Sequence, residues 1–239
     1  DGANVLVSDK GIRGVVIRLI EDFTGISVND MTIIAGSAAR MSKVADIAAE
    51  CNLSGLEGVG TVPGTVGGAI VMNAGTHRGC IDQAVQDVAV VTESGEKRVL
   101  TKDECGFAYR TSRFQTDPSL VITSVTFALR PGDGQAIAEH LESVRQHRAR
   151  TQPHGKSAGC FFKNPRGQSA GNLIDLAGCK GMRQGGAVVS DKHANFLVNE
   201  DNATASDMLR LAERVRKIVA EEHGITLEYE VKLVGEWDH

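Results

Sequence analysis

Three short apolar runs rich in Val and Ile stand near the start of the chain: Asn4-Val-Leu-Val-Ser8, Gly14-Val-Val-Ile-Arg-Leu19 and Met31-Thr-Ile-Ile-Ala35. Their length and β-branched content predict strands, and the Asp, Gly and Asn residues between them predict turns. A helix is predicted from Met41 to Ala49. Further on, Asp87 to Thr92 and Lys97 to Thr101 flank Ser94-Gly95 as a hairpin, and Leu120 to Leu129 supplies a third strand. Together these predict antiparallel sheet.

Pro131-Gly-Asp-Gly134 marks a break, and it divides the chain into an expected first domain, 1–132, and a second, 133–239. The second opens with a polar helix, about Gln135 to Arg150. Its clearest element is a later helix that begins at Thr204-Ala-Ser-Asp207, a capping-box pattern, and ends at Gly224. Met208, Leu211, Val215, Ile218 and Val219 form one apolar stripe on it, which should lie on a sheet. A last strand, Leu227 to Val234, places Leu227, Tyr229, Val231 and Leu233 on one face, so Glu230 points away from the core.

The stretch Leu56 to Gly75 is the densest in glycine, a composition that breaks helices and lets backbone approach a ligand closely. Its Gly58-Val-Gly-Thr-Val-Pro63 resembles the dinucleotide fingerprint but has Pro in place of the third Gly and follows no strand. Gly155-Lys-Ser157 resembles the end of a phosphate-binding loop without the Gly that must come first.

Composition narrows the class. A chain of 239 residues with 41% apolar side chains can bury a substantial core, and 26 basic against 30 acidic residues leave a net charge of −4. Such a balance suits a small-molecule partner rather than nucleic acid. No run is long and apolar enough for a membrane span, so a soluble, cytoplasmic protein is expected. Five scattered cysteines outline neither a disulfide framework nor a zinc site, and Cys51, Cys80, Cys105 and Cys179 read as small buried hydrophobes. His140, His147 and His154 recur on a polar helix and its exit without a carboxylate or thiolate at ligand spacing, so no metal is assigned.

Three neighbourhoods carry reactive side chains: Cys105-Gly-Phe-Ala-Tyr-Arg-Thr-Ser-Arg-Phe114, Ser157-Ala-Gly-Cys-Phe-Phe-Lys-Asn-Pro165 and the Glu230 strand. Alone, each admits a bland reading. Arg110 could pair with a surface acid, Cys160 could be core, and Glu230 could be an exposed strand residue.

These segments, with Val62-Pro-Gly-Thr-Val-Gly-Gly-Ala-Ile-Val-Met-Asn-Ala-Gly75, Ala170 to Met182, Gly185 to Asn199 and the closing Leu-Glu-Tyr-Glu-Val231, resemble the UDP-N-acetylenolpyruvoylglucosamine reductase family in the family's order. The resemblance runs from Gly2 to Glu236. It implies an α+β fold: a flavin-binding domain of the vanillyl-alcohol-oxidase (PCMH) type, followed by an α+β substrate-binding domain. It also implies non-covalent FAD, NADPH as co-substrate, a UDP-sugar substrate, and reduction of an enolpyruvyl ether to the lactyl ether of UDP-N-acetylmuramate for peptidoglycan synthesis. A monomer with no nucleic-acid or membrane partner is expected.

Carried over residue by residue, Arg110, Cys160 and Glu230 would be catalytic, with Arg110 and Glu230 flanking the developing enolate and Cys160 supplying the proton. Gly2, Ala3, Asn4, Val62, Pro63, Gly64, Thr65, Gly67 and Gly68 would contact FAD, the glycine turn offering backbone N–H groups to the pyrophosphate. Tyr109, Asn164 and His193 would contact substrate, and Tyr109 would buttress Arg110. Two departures stand out. Many relatives have Ser at the position of Cys160, and relatives carry an α/β segment and a Gly-x-Gly-Ser-Asn turn where this chain opens on Asp1-Gly-Ala-Asn4. A flavin domain truncated at its N-terminus, with weakened FAD binding, is therefore expected. The alternatives are a flavin-free scaffold of the same fold and a flavin oxidase for another substrate.

Overall fold

The computed structural model describes residues 2–76 and 78–237. Its principal elements are β1 (Val5–Val7), β2 (Ile26–Asn29), β3 (Thr32–Gly36), α1 (Met41–Glu50), α2 (Val66–Val71), β4 (Val85–Val91), β5 (Lys97–Thr101), β6 (Val121–Ala128), α3 (Gly134–Thr151), α4 (Ala170–Leu176), β7 (Arg183–Gln184), β8 (Ala187–Val189), β9 (Leu197–Asn199), α5 (Ala205–His223) and β10 (Lys232–Val234). They fall into two compact units, Arg18–Gln146 and Gly2–Ile17 with 147–237. The sequence break at 132/133 thus lies about one helix before the boundary between units.

In the first unit four predicted strands, β3, β4, β5 and β6, join β2, which the sequence reading did not mark, in an antiparallel sheet of order β2-β3-β6-β4-β5. Alternation decides which face is buried: Ile33 and Ala35 on β3, Val88 and Val90 on β4, and Val125 and Phe127 on β6 pack with Val44 of α1 and Val66 and Ile70 of α2. The other face leaves Ile34, Val99 and Val121 exposed.

Contrary to expectation, the glycine-rich stretch contains a helix. Thr65 caps α2 by accepting from the Gly68 N–H, and Val66, Ala69 and Ile70 bury its inner side. Capping and burial offset the intrinsic cost of two helical glycines, about 1 kcal/mol each.

In the second unit β7, β8 and β9 form an antiparallel sheet, and α5 packs on it through Met208, Leu211, Val215 and Val219. The capping box forms as the sequence predicts, with Thr204 Oγ1 accepting from the Asp207 N–H at 3.0 Å and Gly224 closing the helix at φ +68. β1 pairs in parallel with β10, which places the start of the chain in this unit.

Two strand expectations need correction. Residues 14–19 form no strand: no ladder pairs them among the described residues, and Val15 is 87% exposed. Leu227 to Val234 is regular strand only at β10; before it, Tyr229 makes a single bridge to Phe162. The burial alternation still holds there, with Leu227 and Val231 buried.

Cys105 and Cys179 are core residues, and burial pushes the Cys105 thiol up to about 11. Cys51 is not: it is exposed at the end of α1, and Cys80 is half-buried. A cysteine placed one residue past a helix faces solvent whatever its transfer preference. No helix among the described residues is long and apolar enough to cross a membrane.

Candidate active site

The first unit positions Arg110 by a two-residue turn. Ala108 and Thr111 exchange both backbone hydrogen bonds at 3.1 Å, which forces the intervening pair to reverse direction and leaves Arg110 at φ +53. That left-handed conformation is strained for a residue with a β-carbon and persists where the surroundings over-determine it. Here they do. The Gln115 side-chain amide donates to the Arg110 carbonyl at 3.0 Å and to the Val71 carbonyl at 2.8 Å, and the Asn73 amide donates to the Ala108 carbonyl at 2.9 Å. The guanidinium is half-buried, stacks on Tyr109 with 5.4 Å to the ring centroid, and donates to the Gly75 carbonyl at 2.8 Å. Tyr109 therefore touches Arg110 as expected. Gln115 and Asn73 are supports that sequence reasoning missed; Asn73, an amide after the apolar Ala69-Ile-Val-Met72 run, carried a signal, whereas Gln115 among polar neighbours carried none.

The glycine turn works differently from the expectation. Val66 N–H donates to the Ala39 carbonyl at 2.9 Å, Gly67 N–H to the Ser37 carbonyl at 2.8 Å, and Gly68 N–H to Thr65 Oγ1 at 3.3 Å, so these donors are already used within the protein. What glycine supplies is closeness. A β-carbon on Gly67 would stand 3.0 Å from Ser37 Cβ and 3.1 Å from the Ser37 carbonyl oxygen, and Gly64 sits at φ +119. Gly68 is exposed and offers bare backbone.

Beside this turn Ser37 is buried, and its Oγ has no hydrogen-bond partner among the described residues. Buried hydroxyls are normally satisfied, so an orphan next to glycine backbone fits a polar ligand atom completing the bond. The residues present therefore fit a bound flavin nucleotide along Gly64, Thr65 and Gly68.

In the second unit, backbone pairing brings together the segments that bear Cys160 and Glu230. Cys160 bridges Phe196, Phe162 bridges Tyr229, and the Glu230 N–H donates to the Phe161 carbonyl at 2.9 Å. Cys160 and Glu230, remote in sequence, thus lie on adjacent hydrogen-bonded segments, and both are half-buried. Asn4 joins them: its amide donates to the Glu230 carbonyl at 3.0 Å. The Asn164 Oδ1 accepts from the Ala170 N–H at 2.9 Å, tying this exposed residue to the start of α4.

His193 is half-buried with its ring edge-on to Phe196. Its Nδ1 accepts from the Asn195 N–H at 3.3 Å, which puts the ring proton on Nε2, and burial holds its pKa below the ordinary value. Burial likewise lowers the pKa of Arg148, whose charge interacts with Cys160. Lys232 is lowered by burial and by neighbouring Lys163. These three cations were not found from the sequence, where nothing distinguishes them from surface Lys and Arg.

Residues 1–101 match the family model described as FAD binding domain, and residues 151–234 the one described as UDP-N-acetylenolpyruvoylglucosamine reductase, C-terminal domain. A flavin-binding part of the vanillyl-alcohol-oxidase type followed by an α+β reductase part defines a two-part flavin-dependent oxidoreductase. The chain is 44% identical to UDP-N-acetylenolpyruvoylglucosamine reductase 2 of Symbiobacterium thermophilum, over 98% of this chain and 76% of that one. It is 42% identical to the corresponding reductase of a Bradyrhizobium species over the same shares. The crystal structure of UDP-N-acetylenolpyruvylglucosamine reductase from Thermus caldophilus superposes with a TM-score of 0.86 at 40% identity, covering 98% of this chain and 83% of that one. The chain belongs to the UDP-N-acetylenolpyruvoylglucosamine reductase family.

Proposed function

We propose that this protein reduces UDP-N-acetylglucosamine enolpyruvate to UDP-N-acetylmuramate with NADPH, in the cytoplasm, as a monomer. The observation that carries the reading is that Cys160 and Glu230 lie on adjacent, hydrogen-bonded segments of the second unit, in a chain of this family.

When bound, FAD supplies the hydride carrier between NADPH and the sugar. Gly2, Ala3, Asn4, Val62, Pro63, Gly64, Thr65, Gly67 and Gly68 are its proposed contacts, and the division 1–132 for flavin and 133–239 for substrate is part of the same proposal. Gly64, Thr65 and Gly68 present backbone, while Gly67 serves by letting α2 close on Ser37. Asn4 serves by holding the Glu230 backbone.

Hydride addition to the methylene carbon of the enolpyruvyl group leaves negative charge on the neighbouring carbon and its carboxylate. Arg110, held in its strained turn, is the proposed cation for that charge, Cys160 Sγ–H delivers the proton to the carbon, and Glu230 is the carboxylate assigned to the same step. A thiol, with a reference pKa of about 8.5, gives up a proton far more readily than the serine hydroxyl of many relatives. The resulting thiolate is favoured by the field of Arg148. Tyr109, Asn164 and His193, the last with its Nε2–H, contact the UDP sugar, and Lys232, beside the Lys163–Glu228 ion pair, is a cation suited to its pyrophosphate.

The test is a steady-state assay of the flavin-loaded protein with NADPH and the enolpyruvyl sugar. Turnover to the lactyl ether is expected; oxygen-dependent oxidation of an alcohol would indicate an oxidase, and no turnover with either would indicate a scaffold.

A further inference from the structure

Asn195 is 2% exposed. Burying an amide is costly unless its groups are bonded, and an apolar side chain would fill the same space without that cost. Both of its side-chain polar atoms are bonded, and both bonds converge on one segment. Oδ1 accepts from the Phe162 N–H at 2.9 Å, and Nδ2 donates to the Phe162 carbonyl at 2.8 Å. The Asn195 backbone carbonyl accepts from the Phe161 N–H at 2.8 Å. The side chain thus gives the Phe162 peptide groups the two partners that a neighbouring strand would give, with Cys160 immediately before the bracketed pair.

The bracket reaches further. With the inner side of residues 161–162 fixed, the Phe161 carbonyl is aimed at the Glu230 N–H at 2.9 Å, and the Lys163 N–H donates to the Glu228 carbonyl at 2.8 Å. The Asn195 N–H also meets His193 Nδ1. One buried amide therefore sets the register of the segments bearing Cys160, Glu230 and His193.

Bulk stability of the same strand pair has another source on the side of α5. Tyr229 Oη donates to Glu213 Oε1 at 2.5 Å, Arg216 lies 5.3 Å from the Tyr229 ring centroid, and the Phe162 and Tyr229 rings stack at 5.5 Å.

Resting on the reductase reading above, we propose that Asn195 is a positioning residue for proton delivery: it holds Cys160 and Glu230 at the spacing that protonation of the substrate carbon requires.

The experiment uses the flavin-loaded protein and the variants Asn195→Ser, Asn195→Asp and Tyr229→Phe. Stopped-flow absorbance follows flavin reduction by NADPH and reoxidation by the enolpyruvyl sugar separately, and mass spectrometry follows alkylation of Cys160 by iodoacetamide. In the Asn195 variants, reduction is expected to stay within about two-fold of the parent while reoxidation slows about 100-fold, the scale of an ångström's misplacement. Cys160 should alkylate several-fold faster as its segment loosens. Tyr229→Phe should melt at lower temperature with the ratio of the two half-reactions unchanged.

Equal slowing of both half-reactions in a folded Asn195 variant would overturn the proposal. So would unchanged reoxidation, or failure of both Asn195 variants to fold. If the parent itself does not turn over the sugar, the reductase reading fails, and the alkylation rate then decides by itself whether Asn195 holds Cys160: faster alkylation supports it, an unchanged rate refutes it.

Discussion

Around α2 the chain offers backbone, whereas around Cys160 it offers side chains held by a buried amide. In the first region Gly67 lets the helix close on Ser37, and Thr65 caps it from within the same motif. In the second, Cys160 and Glu230 owe their proximity to Phe161 and to Asn195, which belongs to a different motif. The backbone region carries its own cap and needs one distant segment, residues 37–39, to close on. A site made of reactive side chains needs distant segments in register, so its support lies where no local pattern points.

The contrast can be broken first at the chemistry. Cys160→Ala is expected to leave flavin reduction by NADPH intact and to slow reoxidation by the sugar by about 10²–10⁴-fold, the usual contribution of a positioned proton donor. Rapid-mixing spectra resolve the two phases, and equal slowing of both would remove Cys160 from that role.

Next in size comes the backbone site. Gly67→Ala brings a β-carbon to 3.0 Å from Ser37, so overpacking should cost ~1–3 kcal/mol, read as a lower urea midpoint, together with weaker flavin absorbance at equal protein. Full flavin occupancy with an unshifted midpoint would show that closeness is not what the glycine provides.

A smaller effect tests the frame of the second unit. Thr204→Ala removes one half of the capping box of α5 and should cost about 1 kcal/mol in denaturant unfolding. The half-reaction ratio should not change, since Thr204 touches none of the segments that Asn195 brackets.

Smallest is a pH effect at His193. Burial holds its folded-state pKa below the ordinary value, so the folded protein keeps the ring neutral where the unfolded chain takes up a proton. Stability from this group is complete above about pH 6.5, declines as pH falls below that, and stops declining once the folded-state pKa is passed. Melting temperatures across this range should fall less steeply in His193→Asn than in the parent; parallel slopes would mean that His193 contributes nothing to the acid-side loss.

Much of the fold was legible because its signals are local. Four of the five sheet strands of the first unit, the Ser94-Gly95 hairpin and the capped α5 each follow from local composition, periodicity and turn chemistry within a short window, while β2 was not marked. Where local pattern misled, tertiary context had overridden it. Residues 14–19 are β-branched-rich like a strand but lack a partner among the described residues, and Val66–Val71 is helical despite its glycines because capping and burial outweigh propensity. Arg110, Cys160 and Glu230 were recognisable only through whole motifs in order, since each alone is an ordinary residue.

By itself the sequence determined most of the strands and helices, the cap of α5, the family and the chemical types available: a guanidinium, a thiol and a carboxylate. Tertiary structure alone decided that Arg110 is held left-handed by Gln115, that Asn4 and Phe161 grip the Glu230 backbone, and that Asn195 brackets Phe162. The reason is physical. Hydrophobic periodicity and turn preferences act between near neighbours in the chain, whereas a buried hydrogen-bond donor or acceptor acquires its meaning only when the fold brings its partner to it.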